Sequence, residues 1–509
     1  MNMPKVSPVV SRAHLAAVGL CACLALASGC ALEAERDRAA WLRTTLLLDN
    51  QRFFDRAPEL TRGKLAIMAD DLYRFVRGTA PQYARDVTVP GGAGRWPSAY
   101  LTPATRTIVI TGDPHPENVG SYRRRDGPIT LDFNDFDAAT YGPYTFDLRR
   151  LALGLWLAAV HADRELEARG SEASLGEENR RALVEAAVRA YAEEIHRIAG
   201  GEPGILVTPD RSWGTIADEL LARAKARGDR DDRLATYTRV DANTRHLAIG
   251  NAEPPRQIEV GGRRQFVYRD TVAKVSEEEA RAVRATFASY AASLVDPGIV
   301  TPELSDDLQV ARKFGTGVSS YPNRRYHVLA GGRSGDPSRA VLLEWKEVID
   351  SIELRGLSRF PAQSHAHNGA RVVELGRELH GSRENDIWMG HAASGSDSFS
   401  VRHRTGYQRG FSVERMIRDL DAGDITPADV EVFARLAGRI LGRSHGSARA
   451  LGQAAAAPAI AAAIGEDAGG LAAETLDFVE HYGPIVLRDY ELFRELVAEY
   501  GFDLGYPYP

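Results

Sequence analysis

The polar sequence TGDPHPENVG, at 111–120, stands between two short apolar segments and limits what this chain can fold into. The segments at 106–110 and 129–133 are rich in apolar or β-branched residues and bounded by turn residues, which is typical of β-strands. The loop between them concentrates four polar side chains within six residues: Asp113, His115, Glu117 and Asn118. A polar turn would explain this pattern, and so would a site that binds phosphate and a metal ion.

Composition and charge exclude several classes of protein. The chain has 509 residues, of which 44% are hydrophobic and 26% charged, as in ordinary globular proteins. This length suffices for two or three domain-sized units or for one elaborated enzyme. The formal net charge of −6 is unlike that of a nucleic-acid-binding chain, which needs a concentrated basic face. We therefore expect no nucleic-acid partner.

Residues 1–30 are typical of a signal peptide rather than of a folded domain. Lys5 and Arg12 form a basic start, and 15–27 is an apolar stretch too short to span a bilayer comfortably. The sequence LASGC that follows resembles a bacterial lipoprotein cleavage site, which implies a lipid on Cys30. We predict an exported protein, periplasmic or attached to the outer membrane; a retained hydrophobic helix is the alternative. All three cysteines lie in this segment, so the remaining chain has no disulfide.

The hydrophobic period changes along the remaining chain and predicts an α+β protein of two lobes in contact. Residues 31–200 are expected to form N-terminal helices and the half of a helical lobe that carries the polar loop. Residues 201–305 mix helical patterns with charged loops and are interpreted as a helical insertion or cap. Residues 306–410 predict a small β-rich lobe, and helices return in 411–509 to complete the helical lobe.

Asp113, Asn118 and Asp132 stand in an order that suits phosphoryl transfer. A carboxylate receives or orients the proton of an acceptor hydroxyl, while an amide oxygen and a second carboxylate hold Mg²⁺ against the phosphates. The Asp-x4-Asn spacing, followed by Asp on the next strand, matches the protein-kinase order of catalytic and metal-binding residues. We predict Asp113 as catalytic and Asn118 and Asp132 as metal ligands. Asp135 and Asp137 are alternatives to Asp132, because DFNDFD offers three carboxylates.

Other residues near these motifs admit two interpretations. His115 is more simply a structural imidazole that bonds the loop backbone, and direct participation in the chemistry is the alternative. Arg77 would either meet a phosphate or brace the loop. His365 and His367 are two apart in a loop without an evident third ligand, so they predict polar surface rather than a metal site.

A nucleotide site also needs a cover over the phosphates and a lysine. The glycine turn GTGVSS, at 315–320, supplies the cover because its backbone N–H groups can approach phosphate oxygens. Its predicted nucleotide contacts are Gly315, Gly317, Ser319 and Ser320. Lys346, on a later strand, is expected to reach the phosphates of ATP, and Glu374, on the following helix, to pair with Lys346.

The order of these elements along the chain is unusual. In protein kinases the glycine turn and the lysine precede the catalytic loop, whereas here they follow it by about two hundred residues. The helices at 412–447 end in GRILGRSHGSAR, at the point where a kinase would enter its catalytic loop. We infer a circularly permuted kinase-like fold, which is physically accessible because chain termini often lie close together at a surface.

These motifs together resemble one bacterial family, domain of unknown function 2252, over nearly all of 50–500. The similar pieces include KLAIMADDLYRFVRGTA, GDPHPENVGSY, LDFNDFDAATYGPYTFDLRRLA, LLEWKEVIDS and RVVELGREL. The loop also resembles the aminoglycoside and choline kinase pattern, in which a later Asp, here Asp147, begins a core helix. The resemblance implies a kinase-like fold and a phosphotransferase activity. The glycine segment departs from the family by carrying Ser319, Ser320 and Pro322 where a further glycine is usual, which implies a stiffer cover.

The sequence therefore predicts a kinase-like phosphotransferase that uses ATP and Mg²⁺ on an unknown acceptor, a small molecule as first choice. A nucleotidyl transferase with the same site is a variant of this prediction. An exported, non-catalytic binding protein of pseudokinase type is the alternative, because ATP is scarce outside the cytoplasm. A metallophosphatase would need further downstream motifs, such as Gly-Asn-His, that the sequence does not contain.

Overall fold

The computed structural model describes residues 36–124, 127–250, 253–333, 336–349, 365–381, 386–449 and 455–508. The predicted signal peptide, with Cys30, lies outside these residues. Within the described ranges, no helix is both long enough and apolar enough to cross a membrane.

Helices make up most of the described chain, in agreement with the predicted α+β class. They are α1 (36–56), α2 (Pro58–Asp70), α3 (Leu72–Gly78), α4 (Ala80–Thr88), α5 (Tyr144–Ala168), α6 (Gly176–Ala199), α7 (Thr215–Gly228), α8 (Asp232–Tyr237), α9 (Glu277–Ala285), α10 (Phe287–Ser293), α11 (Pro302–Ser305), α12 (Asn368–Leu379), α13 (Val413–Asp421), α14 (Pro427–Ser447), α15 (Ala456–Ile464) and α16 (Ala468–Tyr500).

The strands are short and pair antiparallel. They are β1 (Ile108–Ile110), β2 (Val119–Arg123), β3 (Ile129–Phe133), β4 (Thr140–Gly142), β5 (Thr238–Asp241), β6 (Thr244–Leu247), β7 (Glu253–Val260), β8 (Arg263–Arg269), β9 (Thr271–Lys274), β10 (Leu308–Phe314), β11 (Arg325–Ala330), β12 (Val341–Glu347), β13 (Gly390–Ser394) and β14 (Asp397–His403). The strands predicted at 106–110 and 129–133 are confirmed as β1 and β3.

Side-chain caps fix the starts of several helices. Asp71 accepts a hydrogen bond from the backbone N–H of Arg74 at the start of α3, and Ser412 accepts one from Arg415 at the start of α13. Such caps satisfy backbone donors that a helix leaves without partners in its first turn. The starts of these two helices are therefore specified locally by the sequence.

The largest sheet is six-stranded within the described residues, in the order β13-β14-β12-β11-β10-β9. One face is apolar: Leu343 and Trp345 of β12 belong to a cluster with Phe287 and Tyr290 of α10. Because successive residues of a strand point to opposite faces, Lys346 lies on the other face, which is apolar at Leu342 and charged at Glu344 and Lys346. The apolar packing of β12 thus determines which way its lysine points.

The helical part surrounds the polar loop. Helices α6 and α14 pack along each other, and α5 and α14 contact the strands on either side of the loop. Tyr191 of α6 stacks on Tyr144 of α5 with ring centroids 6.0 Å apart, and its hydroxyl bonds Nδ1 of His445 at 2.9 Å. The polar loop is therefore anchored on the closely packed helices α5, α6 and α14.

The segment predicted as a helical insertion, 201–305, differs from that interpretation. It contains the hairpins β5–β6 and β7–β8, and β9, α9 and α10 belong to the large sheet and its apolar cluster. The sheet therefore begins before the predicted lobe boundary at 306. The sequence did not indicate the β7–β8 hairpin because both strands are mostly exposed and carry charged residues. They therefore lack the apolar alternation that signals a strand.

Candidate active site

The polar loop is held at its start by one buried carboxylate, that of Asp147. This residue lies in the first turn of α5 and accepts hydrogen bonds from the backbone N–H groups of Thr111, at 2.7 Å, and Gly112, at 3.0 Å. The Thr111 hydroxyl adds a bond at 2.8 Å, and Nε2 of His445 lies 3.1 Å away. Asp147 thus fixes where the chain leaves β1, which orients the residues that follow.

Gly112 is required by backbone geometry. Its φ of +81° is one that residues with a side chain rarely adopt, and a Cβ at this position would overlap the carbonyl oxygen of Ala138. The close approach brings the segment after β3 against the polar loop.

The Gly112→Ala variant is expected to be less stable than a matched glycine variant. Gly170 also has positive φ, +70°, but a Cβ there meets nothing within 4 Å. Gly170→Ala should cost only the conformational penalty, about 1–2 kcal/mol. Gly112→Ala should cost about 1–3 kcal/mol more because of the overlap. Urea denaturation of both variants measures the difference, and equal losses would show that the contact with Ala138 is unimportant.

Asp113 and Asn118 lie together, as the sequence predicts for residues of one loop. Nε of Arg150 donates to Oδ1 of Asp113 at 2.8 Å, and Nδ2 of Asn118 donates to the backbone oxygen of Asp113 at 2.9 Å. Burial raises the pKa of Asp113 to about 6, although the charge of Arg150 lowers it. The carboxylate is therefore mostly ionised at neutral pH but has an unusually high proton affinity, which suits a general base.

Lys346 reaches the polar loop from the large sheet. Its Nζ lies 2.6 Å from Oδ2 of Asp137 and 3.3 Å from Oδ2 of Asp135. Burial lowers the pKa of Lys346, but the two carboxylates outweigh it and raise the pKa above its usual value. Burial also raises the pKa of Asp135, which Lys346 and Arg402 nevertheless bring below its usual value, whereas burial and the charge of Asp135 raise the pKa of Asp137.

Asp132, the predicted metal ligand on β3, points away from Lys346. Its side chain is 5% exposed, and Oδ1 forms an ion pair with Nη2 of Arg443 on α14. The reason is its place inside the strand, where the side chain must face either the cleft or the helices. Asp135 and Asp137 follow the end of β3 and are free of that constraint. The structure therefore brings the two alternative carboxylates to Lys346, and not Asp132.

Glu374, the predicted partner of Lys346, also lies elsewhere. Its side chain is 50% exposed and accepts a hydrogen bond from Nδ1 of His365 at 2.7 Å. On α12 the buried positions include Val372, Val373 and Leu375, so Glu374 falls on the solvent side of the helix. The predicted Lys346–Glu374 ion pair is absent from the described part of the chain, where aspartates take its place.

The glycine turn between β10 and β11 covers the same region. Gly315 and Gly317 have φ values of +79° and +81°, so the turn needs residues without side chains. Arg325 secures it by donating to Oγ1 of Thr316 at 2.9 Å and to Oγ of Ser320 at 3.1 Å. Gly317, Ser319 and Ser320 line the cleft beneath the turn, whereas Gly315 packs against the backbone of 268–270.

The cleft consists of two adjoining cavities. The first, of about 110 Å³, contains Asp113, His115 and Asn118, and we name it the loop cavity. The second, of about 210 Å³, contains Lys346 and Arg325, and we name it the sheet cavity. Four residues line both and mark the boundary: Asp135, Asp137, Gly317 and Ser320. The predicted catalytic loop, lysine and glycine turn thus share one continuous cleft.

Several residues of the cleft have no counterpart in the sequence predictions. Arg52 and Lys64 reach the loop cavity from α1 and α2. Arg325 of β11 pairs in register with Lys346, and Arg150 follows Asp147 in the sequence DLRRLA. Arg150 was accessible to sequence reasoning, because it lies one helical turn after a carboxylate that begins a core helix. For Arg52 of α1 and Lys64 of α2, the neighbouring sequence contains no such signal.

The oxygen atoms that could bind a metal in this cleft suit Mg²⁺ better than a metal ion that needs a complete shell of protein ligands. Among the described residues, no group of three His, Cys, Asp or Glu side chains is arranged to hold a metal ion. The Asn118 amide nitrogen is committed to Asp113, which leaves its oxygen as the donor for a cation, and Asp135 and Asp137 supply two carboxylates in the same cavity. Mg²⁺ is usually held by one or two carboxylates, waters and substrate phosphates.

Comparison with known proteins gives one match. The model of the family described as "Uncharacterized protein conserved in bacteria (DUF2252)" matches residues 56–496. No curated protein and no solved structure matches the chain. The matched residues include the whole cleft apart from the few residues that α1 contributes.

Proposed function

The chain belongs to the bacterial family DUF2252, and we propose that it is a phosphotransferase that uses ATP and Mg²⁺ to phosphorylate a small molecule. One observation supports this most: Lys346 of the sheet lies 2.6 Å from Asp137, in a cleft that also contains Asp113 and Asn118. A phosphate-binding lysine, a candidate base and metal-binding oxygens are the groups that phosphoryl transfer needs.

We further propose that the fold is kinase-like, two-lobed and circularly permuted. The support is the order of elements around the sheet: a hairpin with a glycine turn, β12 with Lys346, then α12 and the hairpin β13–β14. This order follows the kinase sequence of glycine loop, lysine strand and helix. The loop with Asp113 comes earlier in the chain, which a permutation explains.

In the proposed reaction, a phosphoryl group moves from ATP to the acceptor hydroxyl. The oxygen of the acceptor hydroxyl forms a bond to the terminal phosphorus of ATP, the bond from that phosphorus to the ADP oxygen breaks, and the hydroxyl proton goes to the Asp113 carboxylate. Arg150 holds Oδ1 of Asp113 at 2.8 Å and thereby orients the carboxylate. The raised pKa of Asp113 makes it a better proton acceptor than an exposed aspartate.

The remaining residues bind and orient the phosphates. Asn118, Asp135 and Asp137 are the proposed metal ligands, in place of Asp132. Bound Mg²⁺ would neutralise charge that develops on the phosphate oxygens. Lys346 would contribute a positive charge to the phosphate oxygens, and backbone N–H groups of the glycine turn at 317–320 would be available to hydrogen-bond them.

Thermal unfolding tests this proposal on the chain from residue 31, which retains every described residue. ATP with Mg²⁺ should stabilise the protein by about 2.7 kcal/mol when the ligand is at one hundred times its dissociation constant. Lys346→Ala should abolish this stabilisation, because the phosphates lose their cation. Lys313→Ala is the matched control: Lys313 is another buried sheet lysine paired with an aspartate, Asp270, but it lies outside both cavities.

The outcomes of this experiment separate the candidate functions. If Lys313→Ala lowers the melting temperature but keeps the nucleotide-dependent increase, the effect of Lys346→Ala is specific to the site. If no nucleotide stabilises the wild-type protein, the proposal fails and a binding protein without phosphotransferase activity is favoured.

A further inference from the structure

One wall of the loop cavity is cationic, and the reaction described above does not use it. Helices α1, α2 and α3 contribute Arg52, Lys64 and Arg77 to this wall. The Lys64 side chain is 5% exposed, and its Nζ donates to Oδ1 of Asn50 at 2.9 Å. An ammonium group is costly to bury without a polar partner, and the Asn50 amide oxygen supplies one for Lys64.

Two buried nitrogens of residues that line the loop cavity form no hydrogen bond with any described residue. Nδ1 of His115 forms no hydrogen bond with any described residue, although the side chain is 3% exposed and lines the cavity. Arg77 donates from Nη1 to Glu117 at 2.5 Å, but its buried Nε likewise has no partner in the described chain. Most buried polar groups in folded proteins are hydrogen-bonded, so an oxyanion that accepts from these nitrogens would satisfy them.

The surroundings hold His115 in place for a ligand. The Tyr73 ring packs edge-on against the imidazole, with centroids 6.3 Å apart. Burial, together with the charges of Arg77 and Arg150, lowers the pKa of His115 well below its usual value, so the ring is neutral and offers one donor and one acceptor. The loop cavity also has apolar lining from Phe53 and Pro81, which suits the carbon skeleton of a small molecule.

Cationic partners compensate part of the carboxylate charge of the loop cavity. Arg85 pairs with Asp49, Arg150 with Asp113, and the single charge of Lys346 is shared by Asp135 and Asp137. These pairs reduce the repulsion that an added anion would meet in the cavity.

We propose that Lys64, Arg77 and His115 form an oxyanion subsite that binds an anionic group of the acceptor. Of the two cavities, Lys346 lines only the sheet cavity, whereas these three residues line only the loop cavity, beside Asp113; Arg77 also borders a third cavity, with Arg74 and Glu117. The subsite therefore lies on the side where the acceptor hydroxyl must meet the base. The acceptor is a hydroxyl compound that carries a phosphate or carboxylate. The assignment of the bound group to the acceptor rests on the proposed function, whereas the oxyanion subsite itself does not.

Calorimetric titration with inorganic phosphate, without nucleotide or Mg²⁺, tests the subsite. The wild-type chain from residue 31 should bind phosphate saturably. Arg77→Gln should weaken binding about tenfold, as expected for the loss of a charge-assisted hydrogen bond. Arg74→Gln is the matched control, because Arg74 lies one turn earlier on α3 and outside the loop cavity. Its affinity should equal that of the wild type.

Two further variants keep the test decisive. Lys64 is so deeply buried that Lys64→Gln risks misfolding, so His115→Phe serves as the second variant. It keeps an aromatic ring against Tyr73 but removes the nitrogens, and it should also weaken phosphate binding. Lys313→Ala, outside both cavities, should bind phosphate as the wild type does. Absence of saturable binding to the wild type, or binding unchanged in both Arg77→Gln and His115→Phe, would overturn the subsite.

A non-hydrolysable ATP analogue with Mg²⁺ distinguishes the two sources of an oxyanion. If phosphate still binds when the analogue is bound, the subsite accepts a group of the acceptor, as proposed. If the analogue competes with phosphate, the wall contacts the transferred phosphoryl group, and the acceptor assignment is wrong. If the analogue does not bind at all, the proposed function fails, while the loss of phosphate binding in Arg77→Gln still supports the subsite.

Discussion

Asp113→Asn is expected to lower the rate of ADP release from ATP by about 10²–10⁴-fold, the contribution typical of a general base. Binding of ATP with Mg²⁺ should change little, because Asn can still accept the hydrogen bond that Arg150 donates to Oδ1 of Asp113. The amide cannot take a proton from the attacking hydroxyl, so the loss should appear in turnover rather than in affinity. Since the acceptor is unidentified, the measurement uses ADP release with water as acceptor.

Asp49→Asn is the control for this prediction. Asp49 is a carboxylate of the same cavity, but both of its oxygens already accept hydrogen bonds, from Arg85 and Gln82. The turnover rate of the Asp49→Asn variant should remain within a few-fold of the wild-type rate. Wild-type turnover in Asp113→Asn would remove Asp113 from the chemistry. Release of pyrophosphate in place of ADP would identify nucleotidyl transfer in the same cleft.

The part of the site that depends on local spacing could be predicted from the sequence. Asp113 and Asn118 lie in one short loop between two strands, and the loop geometry brings both to one cavity. Lys346 was predicted to reach the phosphates of ATP and to pair with Glu374, but its Nζ instead lies beside Asp135, 211 residues away in the chain. The glycine turn was placed correctly because positive φ restricts the choice of residue.

The remaining parts depend on packing between distant segments. Whether Asp132 or Asp135 faces Lys346 is decided by Arg443, which lies 311 residues from Asp132 and pairs with it. The local sequence does not indicate which aspartate faces Lys346, since DFNDFD offers three carboxylates. The wall formed by Arg52 and Lys64 similarly depends on how α1 and α2 dock against the loop. Glu374 is different: the apolar positions of α12 already place it on the exposed side.

The choice between Asp132 and Asp135 is open to a direct test of stability. Asp132→Asn is expected to lower the free energy of unfolding by about 3–5 kcal/mol, because it leaves the buried guanidinium of Arg443 without its counter-charge. Asp135→Asn should cost much less, since Asp137 remains 2.6 Å from Lys346, but it should abolish the Mg²⁺-dependent effect of ATP. Urea denaturation with and without the nucleotide measures both effects.

Paired replacement separates the ion pair from any metal role. Replacing Asp132 by Leu and Arg443 by Met removes both charges, and buried ion pairs exchanged for apolar side chains of similar volume often lose little stability. This double variant should therefore recover most of the stability lost in Asp132→Asn and still respond to ATP with Mg²⁺. If instead Asp132→Asn unfolds at the wild-type urea concentration but no longer responds to Mg²⁺, then Asp132 is the ligand and the cleft rearranges when nucleotide binds.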